Sequence, residues 1–232
     1  MHLVLLPGLD GTGVLMRPLL AALPREITPV VVTYPGDEPL GYAGLLPRAM
    51  AALPAGEPFV LLGESFGGPL ALRVAAARPR GLAGVVLCAT FVRSPHRGVP
   101  KWMHHAVQPA AMRLLPPFAQ LKMMLGGYST PELRALSAEA LALVRPEVLA
   151  ARLRDVLHVD VTGELTSCPV PVLYLRGRHD RVVPAHNLRE IQRLRPSVEV
   201  AEIAAPHLLL QTQPAAAAEA IAAFVARCRA AT

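Results

Sequence analysis

The 232-residue chain is 53% hydrophobic. That is enough for one well-buried core, but two domains of ordinary size would be crowded, so we expect one domain with an insertion. The net charge of +6 comes mainly from scattered arginines. Scattered charge argues against nucleic-acid binding, because phosphate contacts require a clustered basic face.

The three cysteines cannot close a disulfide framework, and their spacing matches no metal site. We interpret them as small buried hydrophobic side chains in a protein of the reducing cytoplasm. The apolar run at the N-terminus is too short for a signal peptide and lacks a basic region before it. No uninterrupted apolar stretch approaches the length of a membrane span, so none is expected.

Short apolar runs that suit strands alternate with helix-like segments along most of the chain. The strand-like runs are HLVLLPG, PVVVTYP, FVLLGES, GVVLCAT, PVLYLRG and VEVAEI, at 2–8, 29–35, 59–65, 84–90, 171–177 and 198–203. The helix-like segments lie at about 14–23, 42–53, 66–78, 186–195 and 214–229. Runs that are apolar throughout are typical of strands covered on both faces of a parallel sheet. The pattern predicts a doubly wound, mostly parallel α/β domain of about six strands.

The alternation stops between residues 92 and 162. Prolines divide this segment into helix-sized pieces, and a structureless loop of this length inside a compact domain would be unusual. We therefore expect a helical cap at 92–162, inserted into a core formed by 1–91 and 163–232. The segment is rich in large apolar side chains: Trp102, Met103, Met112, Phe118, Met123, Met124 and Tyr128. Their flexibility favours an adaptable apolar pocket, although packing of the cap onto the core explains the same residues.

A serine follows the third strand-like run in the sequence GESFGG. Gly63 and Gly67 lie two residues before and two residues after Ser65. A nucleophile on a strained strand-to-helix turn needs small residues at these positions, because side chains there would collide with the neighbouring strand and helix. We interpret Ser65 as a nucleophile, with a tight turn dictated by packing as the alternative. The pattern assigns no role to Glu64.

A serine nucleophile needs a base and a group that orients the base. Of the eight histidines, only His207, in APHLLLQ, directly follows the last predicted strand, where its loop would lie over the nucleophile. Asp180, in RGRHDRVVP, follows the fifth predicted strand and suits the orienting acid. The competing acids Asp155, Asp160 and Glu164 belong to the cap or its exit. The alternatives are an ordinary loop histidine and a solvated aspartate paired with a neighbouring arginine.

The loop after the first strand reads LPGLDGTG. Its glycine spacing reverses the dinucleotide fingerprint and no Gly-Lys-Ser/Thr follows, so nucleotide binding is disfavoured. Acyl transfer instead needs two backbone N–H donors for the oxyanion, one from the residue after the nucleophile and one from this loop. Phe66 and Leu9 are the natural donors. Asp10 either caps the following helix or lines the pocket.

Together these motifs resemble the α/β-hydrolase superfamily, and the resemblance covers essentially the whole chain. The small carboxylesterases with a helical cap, such as the pimeloyl-carrier-protein methyl ester esterases, are similar. The resemblance implies a catalytic triad of Ser65, Asp180 and His207, and an oxyanion hole formed by the Leu9 and Phe66 amides. Neither a metal nor an organic cofactor is expected.

Many members of the superfamily have a β-hairpin before the first strand, His-Gly in place of Pro7-Gly8, and glycine in place of Pro206. Backbone donors do not depend on those side chains, so the mechanism carries over.

The expected activity is hydrolysis of a carboxylic ester or thioester of a small to medium acyl group through an acyl-serine intermediate. Two alternatives remain: an acyltransferase with the same triad, and a hydrolase-fold protein that binds a ligand without turning it over. The expected partner is a small acyl ester. An acidic acyl-carrier protein is a further candidate, because basic side chains lie in or near the cap. They are Arg93, Arg97, Lys101, Arg113 and Lys122.

Overall fold

The fold is built on one parallel sheet in a computed structural model that describes residues 1–96, 98, 102, 107–109 and 117–230, with 117–120 as backbone only. The strands are β1 (His2–Leu6), β2 (Thr28–Val31), β3 (Phe59–Glu64), β4 (Leu82–Cys88), β5 (Val172–Gly177) and β6 (Glu199–Ile203). Their order in the sheet is β2-β1-β3-β4-β5-β6, and every neighbouring pair is parallel. The predicted doubly wound α/β fold is confirmed.

Helices follow most of the strands. Those of the core are α1 (Arg17–Ala22), α2 (Tyr42–Ala51), α3 (Gly67–Ala76), α7 (Thr162–Thr166), α8 (His186–Leu194), α9 (Leu209–Thr212) and α10 (Pro214–Ala230). Those between β4 and β5 are α4 (Pro117–Leu125), α5 (Pro131–Ala142) and α6 (Pro146–His158). Each of α4 to α6 begins at a proline, which suits the first helical turn because its missing N–H would lack an intrahelical partner there.

Alternate residues of the central strands pack on opposite faces of the sheet. In β1, Val4 and Leu6 join the core beneath α2, α3 and α8, whereas Leu3 and Leu5 join the core beneath α1 and α10. All four side chains are fully buried. Each such side chain contributes about 1.5–3 kcal/mol relative to leaving it exposed. Burial on both sides explains why the central strands are apolar at every position.

The edge strands differ from the central ones. β2 exposes Thr28 and Pro29, and β6 exposes most of its residues. A proline is tolerated in an edge strand because no second neighbour needs its N–H. β2 also ends at Val31, earlier than the predicted run. Beyond it the chain turns toward the loop after β1, where the Tyr34 N–H donates to the Gly11 carbonyl at 2.7 Å.

The segment between β4 and β5 is tied together near its two ends. Arg93 and Asp160 form an isolated antiparallel bridge, and their side chains pair at 3.0 Å. Contact between the two ends of a segment is expected of an insertion that leaves the core at one place and returns there. Several residues named for this segment lie outside the described residues: Arg97, Lys101, Met103, Met112 and Arg113. In the described part of the chain, no helix combines the length and hydropathy that a membrane span requires.

Candidate active site

The order of the strands brings two loops together at the carboxyl ends of β1 and β3. β1 lies between β2 and β3, so the connections from β1 and β3 diverge and leave a crevice at the carboxyl ends of these strands. LPGLDGTG begins with Leu6, the last residue of β1, and GESFGG begins with Gly63 and Glu64, the last two residues of β3. The fold therefore brings together two motifs that are separated by 49 residues in the sequence.

Ser65 occupies a strained turn between β3 and α3. Its φ of +50° is left-handed, a conformation that costs an ordinary residue roughly 1–2 kcal/mol. The surrounding backbone is close-packed: a Cβ at Gly63 would collide with the Gly67 carbonyl, and one at Gly67 with the Leu6 carbonyl. The Ser65 carbonyl accepts a hydrogen bond from Thr90 Oγ1 at 2.5 Å. The turn thus has the geometry of a nucleophile elbow, with both predicted glycines where no side chain fits.

Ser65, His207 and Asp180 form one line of hydrogen bonds. Ser65 Oγ lies 3.1 Å from His207 Nε2, and His207 Nδ1 lies 2.9 Å from Asp180 Oδ2. The side chains of His207 and Asp180 are only 3% and 5% exposed. Because the Asp180 carboxylate can only accept, the proton of a neutral imidazole belongs on Nδ1. Nε2 is then free to accept from the Ser65 hydroxyl.

The Asp180 carboxylate is fixed by its own loop. Its Oδ1 accepts the backbone N–H groups of Val182 and Val183 at 2.8 and 2.9 Å. The neighbouring Arg178 donates instead to Glu202 at 2.9 Å. Asp180 is therefore a buried carboxylate facing the histidine and not a solvated aspartate paired with Arg178.

The two residues predicted to bind an oxyanion both lie close to the serine. Leu9 lines the same cavity as Ser65 and His207, and Phe66 is the residue from which α3 begins. Neither amide N–H donates to an acceptor in the described part of the chain. The Phe66 ring is buried and stacks on Tyr42 with ring centroids 4.4 Å apart. That packing anchors the turn that carries the Phe66 amide.

A cavity of about 140 Å³ opens onto the serine hydroxyl and the imidazole. Its walls are mainly apolar, and helices between β4 and β5 supply much of them. The apolar lining residues from those helices are Leu121, Met124, Ala140, Leu141 and Leu149. Of the methionines named from the sequence, Met124 reaches the cavity, whereas Met123 is half exposed. The described residues thus provide an apolar chamber beside the polar line of Ser65 and His207.

Glu64 lies beside Ser65 with 2% of its surface exposed. Gln211 Nε2 donates to Glu64 Oε1 at 3.0 Å and to the Leu15 carbonyl at 3.1 Å. Burial raises the pKa of Glu64 to about 7, although the hydrogen bond from Gln211 opposes the shift. The sequence pattern assigned this carboxyl no role, and the structure places it on the wall of the cavity.

Of the two roles left open by the sequence, Asp10 fills the pocket-lining one, and it contacts the start of the following helix only through Thr12. Its Oδ2 accepts the Thr12 N–H at 2.9 Å and the Thr12 hydroxyl at 2.6 Å, and Thr12 Oγ1 in turn accepts the Val14 N–H at 3.2 Å. This arrangement stabilises the start of the 3₁₀ turn Val14–Met16. Asp10 also lines the cavity.

Sequence reasoning missed Arg152, a buried arginine of α6 that contacts the loop after β1. The spacing of Arg152 along its helix could nevertheless have indicated that it is buried. Val148, Arg152 and Val156 are spaced four residues apart and all three are buried, so the arginine interrupts the apolar face of the helix. A charged residue on such a face usually has a specific partner inside the protein.

The described residues contain no group of three or more His, Cys, Asp or Glu side chains arranged to hold a metal ion. Cys88, Cys168 and Cys228 form no disulfide within the described structure, and all three are buried. Burial raises the pKa of the Cys88 thiol, which keeps it protonated.

Sequence relatives of this chain include an esterase and a polyketide synthase. A pimeloyl-[acyl-carrier protein] methyl ester esterase of Stenotrophomonas maltophilia is 29% identical over 225 residues, covering 87% of this chain and 83% of the relative. The polyketide synthase ThaQ of Burkholderia thailandensis is 30% identical over 255 residues, covering 97% of this chain. The match spans only 12% of that synthase, so the chain corresponds to a small part of it.

Solved structures share the fold. An enol-lactonase from Burkholderia xenovorans superimposes with a TM-score of 0.80 at 21% identity, covering 97% of this chain and 91% of the other. A thermophilic esterase from Thermogutta terrifontis gives a TM-score of 0.76 at 22% identity, covering 98% and 90%. The model of the alpha/beta hydrolase family matches residues 3–220. With the sheet order, the elbow and this match over most of its length, the chain belongs to the alpha/beta hydrolase family.

Proposed function

We propose that this protein is a serine hydrolase that cleaves a carboxylic ester or thioester of a small to medium acyl group. The observation that carries the proposal is the line of hydrogen bonds from Ser65 through His207 to Asp180 at the wall of an apolar cavity. Ester hydrolysis is also the activity named for the Stenotrophomonas relative.

In the proposed mechanism, His207 Nε2 removes the Ser65 hydroxyl proton as Oγ attacks the ester carbonyl carbon. The carbonyl oxygen becomes an oxyanion, which accepts hydrogen bonds from the Leu9 and Phe66 amides. The protonated imidazole then gives its proton to the leaving alcohol or thiol, and an acyl-serine remains. Water, activated by the same histidine, attacks the acyl-serine and regenerates Ser65. Asp180 stays ionised throughout and stabilises the imidazolium.

The volume of the cavity limits the length of the proposed acyl group. Pockets for drug-sized ligands usually measure about 300–1,000 Å³, so a cavity of about 140 Å³ favours a short chain. Met124 offers some adaptability, because its thioether chain changes rotamer at little cost.

The division into a core of 1–91 and 163–232 and a cap of 92–162 is also a proposal. Helices α4, α5 and α6 contribute side chains to the wall opposite the strand ends, as a cap would. We further propose a cytoplasmic location, which is favoured by three buried cysteines that form no disulfide in the described structure.

Covalent labelling tests the proposed nucleophile. A fluorophosphonate probe should label the protein once per chain, at Ser65, because only a serine activated by a neighbouring base attacks such probes rapidly. Peptide mass spectrometry locates the label, and a panel of p-nitrophenyl esters of increasing length measures turnover in parallel. Labelling should abolish turnover in proportion to its extent. Label on another serine, or turnover that survives full labelling, would contradict the proposal.

We also propose that the acyl group is delivered by an acidic acyl-carrier protein. The Stenotrophomonas relative is named for an acyl-carrier-protein ester. In this chain, a groove of about 560 Å³ next to Asp180 is lined by Lys122, Arg178 and Arg181. Positive charge beside the site suits a negatively charged carrier, since complementary charge accelerates encounter. Of the cap residues named from the sequence, Lys122 lines this groove, whereas Arg93 pairs with Asp160 and Glu190.

Hydrolysis of a carrier-bound ester should depend on these charges. Raising sodium chloride from 50 to 500 mM should lower kcat/KM for a carrier-bound acyl ester on the order of ten-fold, because salt screens charges that are exposed to solvent. For a p-nitrophenyl ester of the same acyl chain, kcat/KM should change less than about two-fold.

Lys122→Ala and Arg181→Ala should reduce kcat/KM for the carrier-bound ester alone. The control is Arg25→Ala, at an exposed arginine before β2. Equal salt dependence for both substrates would refute a carrier that docks through charge.

A further inference from the structure

Arg152 is a fully buried arginine on α6. Its guanidinium has no ion pair with a carboxylate among the residues that the structure describes. Burial lowers the pKa of Arg152, yet arginine stays protonated in proteins, so a whole charge is held away from water. Such a charge is costly unless its donors are satisfied. Among the described residues Nε has no hydrogen-bond partner, whereas both terminal nitrogens do, and the contacts of those two nitrogens indicate what the residue does.

The guanidinium donates to backbone carbonyls of two loops. Nη1 donates to the carbonyls of Leu9 and Asp10 at 2.8 and 2.7 Å, and Nη2 donates to the Pro35 carbonyl at 2.8 Å. The guanidinium carbon also lies 5.4 Å from the centre of the Tyr34 ring. A helix of the proposed cap thus binds two carbonyls of the loop that follows β1.

Tyr34 holds the same loop from a second direction. Its hydroxyl donates to the Pro7 carbonyl at 3.2 Å, and its backbone N–H donates to the Gly11 carbonyl at 2.7 Å. The peptide between Gly8 and Leu9 therefore lies between two peptides whose carbonyls are held, one by Tyr34 and the other by Arg152. Because each peptide is planar, turning the Leu9 N–H away would require rotating about bonds whose far ends are fixed.

The loop is shaped to admit the arginine. Gly11 has a φ of +71°, and a Cβ there would lie 2.9 Å from Arg152 Nη1 and 2.8 Å from Tyr34 Cβ. A side chain at Gly11 would displace the guanidinium or the ring, and the left-handed backbone would be strained as well. The contact between Arg152 and the loop therefore requires glycine at position 11.

We propose that Arg152 is a positioning residue of the oxyanion hole, which holds the Leu9 and Asp10 carbonyls from the cap so that the Leu9 N–H stays aimed at the oxyanion. This inference rests on the proposed function, in which that N–H is an oxyanion donor. It adds that the cap does more than cover the acyl group: the oxyanion hole is complete only while α6 is docked on the loop.

Arg152→Lys tests the inference with a matched control on the same helix. Lysine keeps the charge but cannot span the carbonyls of both loops with a planar fork. Arg154→Lys is the control, because Arg154 donates to the Val107 carbonyl and not to the loop after β1. For Arg152→Lys we expect kcat for a p-nitrophenyl ester to fall roughly 10- to 100-fold, somewhat less than the loss of a whole oxyanion donor. KM should change by less than about three-fold, since ground-state binding is preserved.

A transition-state analogue separates positioning from a general structural role. A trifluoromethyl ketone adds to the serine and forms a tetrahedral oxyanion, so its affinity should weaken by the same factor as kcat, whereas Arg154→Lys should leave both unchanged. Tyr34→Phe, which removes only the hydroxyl that binds Pro7, should lower kcat and ketone affinity together by about three- to ten-fold, and it decides the question if Arg152→Lys does not fold.

Wild-type kcat in the folded variants, or a fall in kcat without weaker ketone binding, would overturn the inference. The proposed function fails separately, if Ser65→Ala retains turnover.

Discussion

Replacing Ser65 with alanine should lower ester turnover on the order of 10⁴- to 10⁶-fold while the protein stays folded. The variant removes the atom that forms the acyl intermediate, and His207 then has no alcohol to activate. Background hydrolysis by the oxyanion donors and bound water accounts for what remains. The cost to stability should be small, because the one hydrogen bond of the hydroxyl within the described structure is to His207 Nε2, and alanine meets the same backbone strain at φ +50°. Steady-state rates with p-nitrophenyl esters and thermal unfolding measure the two effects.

Ser167→Ala is the matched control for this variant. Ser167 Oγ donates to the Gly163 carbonyl on an exposed turn, so the substitution also removes one hydrogen bond but leaves the site intact. Turnover of this control should equal that of the wild type. If the Ser65 variant kept more than about one hundredth of the wild-type rate, the serine would not be the nucleophile.

The sequence predicted the parts of the site that follow directly from strand ends. Ser65, Asp180 and His207 each come soon after an apolar run, and parallel strands bring their carboxyl ends to one edge of the sheet. The elbow glycines were predictable for a related reason, since the turn leaves no space for a side chain at either position. Local signals were sufficient because the backbone geometry of each turn is local.

The contacts that support the site were not predictable in this way. Arg152 and the Leu9 carbonyl are separated by 143 residues, and Gln211 and Glu64 by 147. No turn or spacing joins such pairs, because their contact depends on how helices α4 to α6 dock and how the last helices pack. The edge strands show the same limit: β2 ends at Val31, and Tyr34 beyond it bonds to Gly11, a contact that is absent from the apolar pattern.

Replacing Asp180 with asparagine should lower kcat about 10⁴-fold with little change in KM. An asparagine oxygen can still accept from the Val182 and Val183 amides, so the loop should keep its shape. Its amide group would then face His207 Nδ1 as a donor. The imidazole proton would move to Nε2, the nitrogen that must accept the Ser65 proton, and the imidazolium would lose the neighbouring charge.

The matched control for this variant is Asp160→Asn, at an exposed carboxylate that accepts from Thr162 and Arg93. It also removes one charge from a hydrogen-bonded loop and should leave kcat within about two-fold. Thermal unfolding should show both variants folded, which assigns the loss in Asp180→Asn to chemistry. A folded Asp180→Asn variant with more than a tenth of the wild-type kcat would mean that Asp180 does not orient the base. Fluorophosphonate labelling of the same variant should slow in parallel, because it depends on the same removal of the Ser65 proton.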